Sequence, residues 1–334
     1  MQKMKTIKWG IIGCGNVTEI KSGPAFQKTK NSQLVAVMRR NPILAEDYAK
    51  RHKVPFWYTD ANDLINNPDV DAVYIATPPS SHKEYTLLCA KAGKPVYVEK
   101  PMALNFEECN EMISACKSNN VPLFVAYYRR SLSRFLKIHE LIFKDKVIGA
   151  PRHVSCVLYQ PLESRYQNSE ELPWTVRPEI SGGGIFVDLA CHTLDFLDFL
   201  FGPIVSVKGH ASSQQYAYPA EDAVSMSFLF ENGMHGTGMW NFASYKRFDI
   251  CEIVGDKGKI SFTTFDDSSI IVENKDGVVD EILIKNPEHI QQPMIESVVQ
   301  ELLGIDTCKS TAVSGARTSW VMDQVLSEYR KRIV

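Results

Sequence analysis

The feature that most constrains this fold is a glycine-rich turn between an apolar strand and a helix, in the stretch GIIGCGNVTE. Residues 7–12 are apolar enough for a buried strand, Gly13 and Gly15 follow, and a helix is expected from Asn16. The two glycines fit the G-x-G-x-x-G fingerprint of dinucleotide-binding proteins, whereas Thr18 replaces its third small residue. Peptide N–H groups at such a helix start, together with the helix dipole, bind a pyrophosphate. A nucleotide site and a plain strand-to-helix turn both fit this stretch.

Short apolar strands alternate with helices over the first third of the chain. Strands are expected at 7–12, 33–38, 72–76, 95–98 and 123–126, and helices at 42–52, 80–92 and 106–117, with a break near 22–24 in the helix after the glycine turn. This alternation predicts a parallel sheet with right-handed crossover connections. We therefore assign residues 1–126 to a doubly wound, dinucleotide-binding (Rossmann) domain.

The pattern changes after residue 126. Segments that alternate polar and apolar residues lie at 153–159, 205–211, 223–230, 236–242, 249–254 and 259–263, and helices are expected at 133–143, 184–201, 293–303 and 315–333. Such alternation is typical of an antiparallel sheet with one face toward solvent. We assign residues 127–334 to a second, α+β domain, whose last helices are also candidates to pack on the first domain. The predicted fold class is thus α/β, with a Rossmann sheet followed by an open, largely antiparallel sheet.

The composition excludes several classes of protein. The net charge is −2 over 334 residues, without the basic patch of a nucleic-acid-binding domain. No apolar stretch approaches the roughly 20 residues that span a bilayer, and the run at 7–12 is too short for a secretory signal. Eight scattered cysteines form no C-x-x-C pair and the histidines lack metal-ligand spacing, so we expect no metal. Free cysteines in apolar segments favour a reducing, cytoplasmic location.

The end of the second strand bears on the choice of cofactor. An NAD site usually has an acidic residue there, bonded to the ribose hydroxyls, but here Met38 is followed by Arg39 and Arg40. Guanidinium groups keep their charge and bind phosphate oxygens in pairs, so two arginines suit the 2′-phosphate of NADP. Two solvated surface arginines are the alternative. We predict NADP in preference to NAD.

Several motifs, taken in order, resemble the Gfo/Idh/MocA family of oxidoreductases. They are the glycine turn, ATPPSSH at 76–82, EKP at 99–101, GGGIFVDLACH at 182–192 and TAVSG at 311–315. The resemblance implies NAD(P)-dependent oxidation or reduction of a carbon–oxygen bond, usually in a sugar, polyol or related small molecule. It also implies that the second domain binds substrate and that its open sheet packs against another subunit in a homodimer or homotetramer.

The resemblance places the cofactor contacts at the carboxyl ends of the first-domain strands. These contacts are Gly13, Gly15, Asn16, Val17, Arg39, Arg40, Thr77, Pro78, His82, Glu99 and Lys100. His82 either lines the adenosine side of the site or is an exposed helix start. Glu99 either bonds a ribose hydroxyl or pairs with Lys100 or another cation.

Lys100, His192 and Asp188 are the candidate catalytic residues. Hydride transfer from an alcohol leaves a proton that a base must accept, and the reverse reaction needs an acid. Lys100 follows a strand at the edge where open α/β sheets bind ligands, and by resemblance its bond to Pro101 is cis. Asp188 and His192 are four residues apart on one predicted helix, so the carboxylate can orient the imidazole. A capped core helix with a surface Asp–His pair is the alternative, and the EKP and glycine motifs favour catalysis.

Substrate contacts are expected in two places. Family members often bind substrate just after the fifth strand, where Tyr128 and Arg129 stand here, and Trp174 and Arg177 lie in a long loop at 161–181. An aromatic face beside cations suits a sugar ring, although a loop anchored by one tryptophan fits equally well. Two other functions stay open: a non-catalytic dinucleotide-binding sensor on the same fold, and a reductase or dehydrogenase of a non-sugar carbonyl or a dihydrodiol.

Overall fold

The chain folds into two compact units. The computed structural model describes residues 6–166 and 172–333. One unit holds the chain up to Leu132 together with Pro287–Ala316, and the other holds Ser133–Asn286 and the chain from Arg317 onward. The units are not consecutive stretches of chain, because residues 127–132 and 287–316 belong to the first unit.

The first unit is built on a sheet of six parallel strands. The strands are β1 (Ile7–Ile12), β2 (Ser32–Met38), β3 (Phe56–Tyr58), β4 (Ala72–Ile75), β5 (Val96–Val98) and β6 (Leu123–Val125). Their order across the sheet is β3-β2-β1-β4-β5-β6, and every pairing is parallel. This is the order of doubly wound dinucleotide-binding sheets, so the predicted Rossmann topology is confirmed.

Six helices accompany the strands in this part of the chain. They are α1 (Asn16–Ile20), α2 (Gly23–Lys28), α3 (Pro42–His52), α4 (Ala61–Asn66), α5 (His82–Lys91) and α6 (Phe106–Ser118). The predicted break after the glycine turn is present, with Pro24 in the first turn of α2. β3 and α4 were not predicted, because three partly exposed aromatic residues and a six-residue helix give too little periodicity to recognise.

The second unit contains a sheet of eight strands. Its elements begin with α7 (Ser133–Phe143), β7 (Pro151–Tyr159), α8 (Pro178–Ser181), α9 (Ile185–Phe201), β8 (Ile204–Ser212) and β9 (Ala223–Phe230). They continue with β10 (His235–Asn241), β11 (Phe248–Gly255), β12 (Gly258–Phe262), β13 (Ile270–Asn274) and β14 (Gly277–Ile282). The order is β14-β13-β12-β11-β7-β10-β9-β8. Only β7 and β10 pair in parallel among these strands, so the prediction of an open, largely antiparallel sheet is confirmed.

Aromatic residues join this sheet to its two long helices. Phe135 of α7 and Phe196 of α9 both meet Phe262 of β12 edge-on, with ring centroids 6.3 and 5.7 Å apart. Phe186 of α9 packs on Trp240 of β10 at 5.2 Å. Burying each ring contributes roughly 1.5–3 kcal/mol before entropic costs are counted. This face of the sheet is therefore the core of the second unit.

The opposite face of the sheet is only partly covered. Val157, Met239 and Ile250 are half-buried neighbours across β7, β10 and β11. The hairpin of β13 and β14 was not predicted, because β14 is almost wholly exposed and lacks an alternating pattern of burial.

Two helices close the chain. α10 (Gln292–Leu302) belongs to the first unit and packs on α2 and on the turn Tyr128–Ser131. α11 (Ala312–Ile333) follows, and all but its first residues belong to the second unit. Within the described residues, no helix has the length and apolar character needed to cross a bilayer. In the same part of the chain, no three His, Cys, Asp or Glu side chains are grouped as metal ligands.

Candidate active site

Two glycines shape the turn between β1 and α1. Gly13 has a φ of +92°, and a Cβ added there would lie 2.6 Å from Thr77 Cγ2. Both facts favour glycine at this position. The Gly13 N–H donates to the Met38 carbonyl at 2.9 Å, which joins the turn to the end of β2. A Cβ added at Gly15 would meet only the Gly13 carbonyl within 4 Å, at 3.9 Å, so the backbone there is open to a close-lying pyrophosphate.

The start of α1 accommodates the departure from the fingerprint. Asn16 is exposed and Val17 is half-buried, whereas Thr18 is fully buried. The Thr18 hydroxyl donates to the Gly15 carbonyl at 2.8 Å. The side chain that replaces the third small residue is therefore satisfied inside the turn itself.

An ion-pair cluster ties α1 to α3. Glu19 accepts hydrogen bonds from two Arg51 nitrogens at 2.8 and 2.9 Å, and His52 Nε2 lies 2.8 Å from the same carboxylate. Hydrogen bonds from Arg51, aided by His52, lower the pKa of Glu19 to about 2. These contacts fix α1 against α3, in addition to the hydrogen bonds within the glycine turn.

Arg39 and Arg40 stand directly after β2, as the sequence indicated. Arg39 is half-buried, and its Nη1 donates to the Cys14 carbonyl of the glycine turn at 3.3 Å. Arg40 is exposed. Among the described residues, neither arginine forms an ion pair with a carboxylate. The guanidinium groups are chemically suited to a phosphate on the adenosine ribose.

His82 is not the exposed helix start that one interpretation of the sequence described. The side chain is fully buried at the start of α5. Nε2 lies 2.7 Å from the carbonyl of Thr77, which with Pro78 forms the turn after β4, and Nδ1 lies 3.1 and 3.2 Å from the carbonyls of Pro101 and Met102. Burial lowers the pKa of His82, although the carbonyls act in the opposite direction. The imidazole therefore connects two loops of the candidate site rather than facing an open space.

Glu99 belongs to a buried hydrogen-bond network. Its Oε1 accepts from the Tyr74 hydroxyl at 2.5 Å and from Gln291 Nε2 at 2.6 Å, while Oε2 accepts from the Lys100 N–H at 3.1 Å. Gln291 is also buried, and its Oε1 accepts from the Tyr97 hydroxyl at 3.2 Å. The carboxylate thus joins β4 and β5 to the segment before α10, a connection that the sequence did not reveal.

Lys100 is half-buried at the start of the loop after β5, and its bond to Pro101 is cis, as the resemblance implied. β1, β2, β4 and β5 are parallel, so their carboxyl ends lie at one edge of the sheet. The residues that follow these ends include Gly13, Arg39, Thr77 and Lys100. One edge of the first unit therefore gathers most of the predicted cofactor contacts.

The residues after β6 are buried. Tyr128 and Arg129 are 7% and 5% exposed, and the Arg129 guanidinium lies 5.2 Å from the Tyr128 ring centroid. Arg130 donates to the Lys309 carbonyl at 3.1 Å. This bond ties the turn after β6 to the segment before α11.

Asp188 and His192 lie on α9, four residues apart as predicted. Asp188 is half-buried in the first turn, and His192 is only 4% exposed, so the two do not form a surface pair. The His192 ring packs edge-on against Phe265 at 6.0 Å. Burial raises the pKa of Tyr166, and the charge of Asp188 adds to the rise, which places that carboxylate near the phenol.

The glycine triplet before α9 packs on a buried glutamate that no sequence motif indicated. Glu221 is 2% exposed, and its Oε1 accepts from the Gly184 N–H at 2.8 Å. A Cβ added at Gly183 would lie 2.4 Å from Val187 Cγ2, and one added at Gly184 would lie 2.6 Å from the Glu221 carbonyl. Burial raises the pKa of Glu221 to about 7. The glycines therefore let the Glu221 loop close over the start of the helix that carries Asp188.

The long loop before the glycine triplet is anchored differently from the expectation. Trp174 is 40% exposed, whereas Val176 is fully buried. Arg177 is exposed and pairs with Glu179 at 2.9 Å. Residues 167–171 of this loop lie outside the described residues. The loop is thus fastened by the valine, and the tryptophan ring presents a face to solvent.

Both halves of the chain match sequence profiles of one family. Residues 7–127 match the profile described as "Oxidoreductase family, NAD-binding Rossmann fold", and residues 135–261 match the GFO/IDH/MocA C-terminal domain. The chain belongs to the Gfo/Idh/MocA family of oxidoreductases, as its motifs suggested.

The relatives and the similar solved structure carry names that point to different substrates or to none. "Oxidoreductase P35" of Formosa agariphila is 44% identical over 318 residues, which cover 95% of this chain and 97% of that protein. The trans-1,2-dihydrobenzene-1,2-diol dehydrogenase of Mus musculus is 29% identical over 236 residues, or 69% of this chain and 67% of that one. The structure of levoglucosan dehydrogenase in complex with NADH and levoglucosan superposes with a TM-score of 0.85 at 21% identity, covering 98% of each chain. This structural likeness extends over nearly the whole fold.

Proposed function

We propose that the protein is an NADP-dependent oxidoreductase that transfers a hydride between nicotinamide and a carbon–oxygen centre of a sugar, polyol or related compound. The observation that carries the proposal is the edge of the first unit, where the glycine turn, Arg39, Thr77 and Lys100 follow neighbouring parallel strands. Ligands of open α/β sheets bind at that edge. Bound there, the dinucleotide supplies the hydride acceptor or donor.

The choice of NADP rests on Arg39 and Arg40. Both follow β2 and neither is ion-paired among the described residues, so their charge is available to a 2′-phosphate that a carboxylate would repel. We expect Arg40→Asp to shift the binding preference toward NADH by about tenfold or more, the usual scale for hydrogen bonds to charged groups. Fluorescence titration with NADPH and NADH measures the ratio of dissociation constants directly.

Lys50→Asp is the matched control for this test. Lys50 is an exposed cation on α3 that pairs with Glu46, and its reversal changes net charge by the same amount. The ratio for this control should stay at the wild-type value. An unchanged ratio in both Arg39→Asp and Arg40→Asp would end the proposal that these arginines select NADP.

Three residues are assigned to the proton that accompanies the hydride. Lys100 and His192 act as the acid–base pair that takes a proton from, or gives one to, the reacting oxygen. Asp188, one turn before His192 on α9, orients the imidazole. The buried position of His192 supports this assignment, because a buried imidazole keeps one orientation better than a solvated one. Tyr128, Arg129, Trp174 and Arg177 are proposed to contact substrate.

One panel of turnover assays distinguishes a sugar substrate from a dihydrodiol substrate, and both from a non-catalytic sensor. The dihydrodiol reading is favoured by the murine relative, which is named for dehydrogenation of trans-1,2-dihydrobenzene-1,2-diol. The sugar reading is favoured by the levoglucosan dehydrogenase that shares the fold. Sugars, polyols and this diol are offered with NADP or NAD, and the matching carbonyls with the reduced forms. Tight cofactor binding without turnover of any of them would favour the sensor.

A further inference from the structure

A groove in the second unit lies outside every residue assigned so far. Its volume is about 790 Å³, enough for a sugar ring or a larger group. Tyr216, Tyr218 and Tyr329 line it together with Pro219, Ser213 and Arg332. We call it the tyrosine groove. Its lining thus combines three tyrosines with small residues and one permanent cation.

The loop that forms the groove between β8 and β9 is firmly anchored. Asp222 accepts the N–H groups of Gln214 and Gln215 at 2.7 and 2.9 Å. Tyr216, within the same loop, has a φ of +55° and is 84% exposed. The anchored loop therefore presents the Tyr216 ring to solvent from a backbone conformation that non-glycine residues rarely adopt.

The groove also carries hydrogen-bonding capacity that the protein itself does not use. The hydroxyls of Tyr218 and Ser213 are buried and have no hydrogen-bond partner among the described residues. Arg332 is exposed and forms no ion pair within that part of the chain. Glu328 feels the charge of Arg332, but its partner is Lys331, at 2.7 Å. Hydroxyl groups beside tyrosine rings suit a polyhydroxylated ring, and the free guanidinium suits an acidic substituent.

The groove adjoins the helix that carries the candidate catalytic residues. Tyr218 packs edge-on against Tyr166, with ring centroids 5.8 Å apart. Tyr166 in turn lies within the electrostatic reach of Asp188 on α9. Glu221, three residues after Tyr218, bonds the Gly184 N–H at the start of α9. The wall of the groove and the start of α9 are therefore one packed region.

We propose that the tyrosine groove is an accessory subsite for a sugar residue bearing a carboxylate, so that the preferred substrate is an acidic disaccharide or longer chain. The reacting ring lies toward α9, and a further ring of the same chain stacks on the tyrosines with its carboxylate on Arg332. This inference rests on the proposed function for the reacting ring. Binding to the groove itself does not depend on any turnover.

Calorimetric titration of the full chain tests the subsite. The probes are pairs of disaccharides that differ only in carrying a hexose or a hexuronate at the non-reacting ring, together with the single sugars. We expect the uronate member of at least one pair to bind about tenfold more tightly than its neutral counterpart, as one charge-assisted contact allows. Arg332→Ala should abolish that difference. Tyr329→Ala should weaken both members and leave the single sugars unchanged.

Lys331→Ala is the matched control, because Lys331 is the adjacent cation but is paired with Glu328. This variant should bind every probe like the wild type. The subsite is refuted if no disaccharide pair shows the difference, or if Arg332→Ala and Tyr329→Ala bind the pairs like the wild type. Arg332-dependent binding without turnover would overturn the proposed function and keep the subsite. Turnover of the disaccharides with no preference for the uronate member, in the wild type and in Arg332→Ala alike, would keep the proposed function and refute the subsite.

Discussion

At the scale of single residues, Glu221 combines near-complete burial of a carboxyl group with a raised pKa. It is a fully buried carboxyl beside a helix start, where the helix dipole and the charge of Arg330 favour the ionised form. Asp222 acts against ionisation, and Tyr218 and Tyr329 are also close enough to interact with the carboxylate. Desolvation outweighs the favourable contributions and raises the pKa of Glu221 from 4.5 to about 7.

This shift predicts a pH-dependent stability. Between pH 4.5 and about 7 the unfolded chain has lost the Glu221 proton while the folded chain keeps it, so stability falls as pH rises through this window. The loss is at most about 3 kcal/mol. Glu221→Gln keeps an acceptor for the Gly184 N–H and should flatten that slope in urea unfolding at several pH values. Glu231→Gln, at an exposed turn, should leave the slope unchanged. A wild-type slope in Glu221→Gln would contradict the assignment.

At the scale of elements, an ion pair joins α9 to α11. Arg317 Nε and Nη2 donate to the two carboxylate oxygens of Asp198 at 2.6 and 2.7 Å, and Asp198 is 6% exposed. Two parallel bonds of this kind fix both distance and orientation. The helix that carries Asp188 and His192 is thereby held at its far end.

Asp198→Asn should therefore destabilise the protein by about 2 kcal/mol. Breaking a buried pair costs 3–5 kcal/mol, and the partly exposed Arg317 recovers some of that in water. Thermal or urea unfolding measures the change. Glu163→Gln, in the exposed pair with Arg165, is the control and should cost no more than about 1 kcal/mol. Equal losses in the free energy of unfolding for the two variants would show that the Asp198–Arg317 pair adds no more stability than an exposed ion pair.

The elements also show what local sequence can predict. β1 and α3 match their expected ranges because each is bounded by strong signals: a glycine turn after β1, and Pro42 in the first turn of α3 with Asn41 capping it. β14 and α4 were missed because β14 is exposed along nearly its whole length and α4 has only six residues, so neither shows a clear period. In the site, the glycine motif was readable but the Glu99–Gln291 bond joins residues 192 positions apart.

At the scale of the whole molecule, the open sheet of the second unit is the proposed oligomer interface. Val157, Met239 and Ile250 form an apolar row on its partly covered face. Light scattering after gel filtration should therefore give two or four times the mass of one chain. Val157→Lys should give the mass of one chain, because a charge in such a row cannot be buried unpaired.

Ile43→Lys, at an exposed position of α3, is the control and should leave the mass unchanged. A single-chain mass for the wild type would rule out the oligomer. If Val157→Lys keeps the wild-type mass, the oligomer interface does not include this apolar row.

The most direct test of the account is the turnover of Lys100→Ala and His192→Ala beside their cofactor affinity. We expect each variant to lose about 100-fold or more in kcat while its NADPH dissociation constant stays within about threefold of the wild type, since acid–base groups act mainly on the chemical step. The double variant should lose less than the product of the two, because both residues serve one proton transfer. Lys94→Ala, just before β5, should retain turnover. Wild-type turnover in Lys100→Ala or His192→Ala would contradict the account.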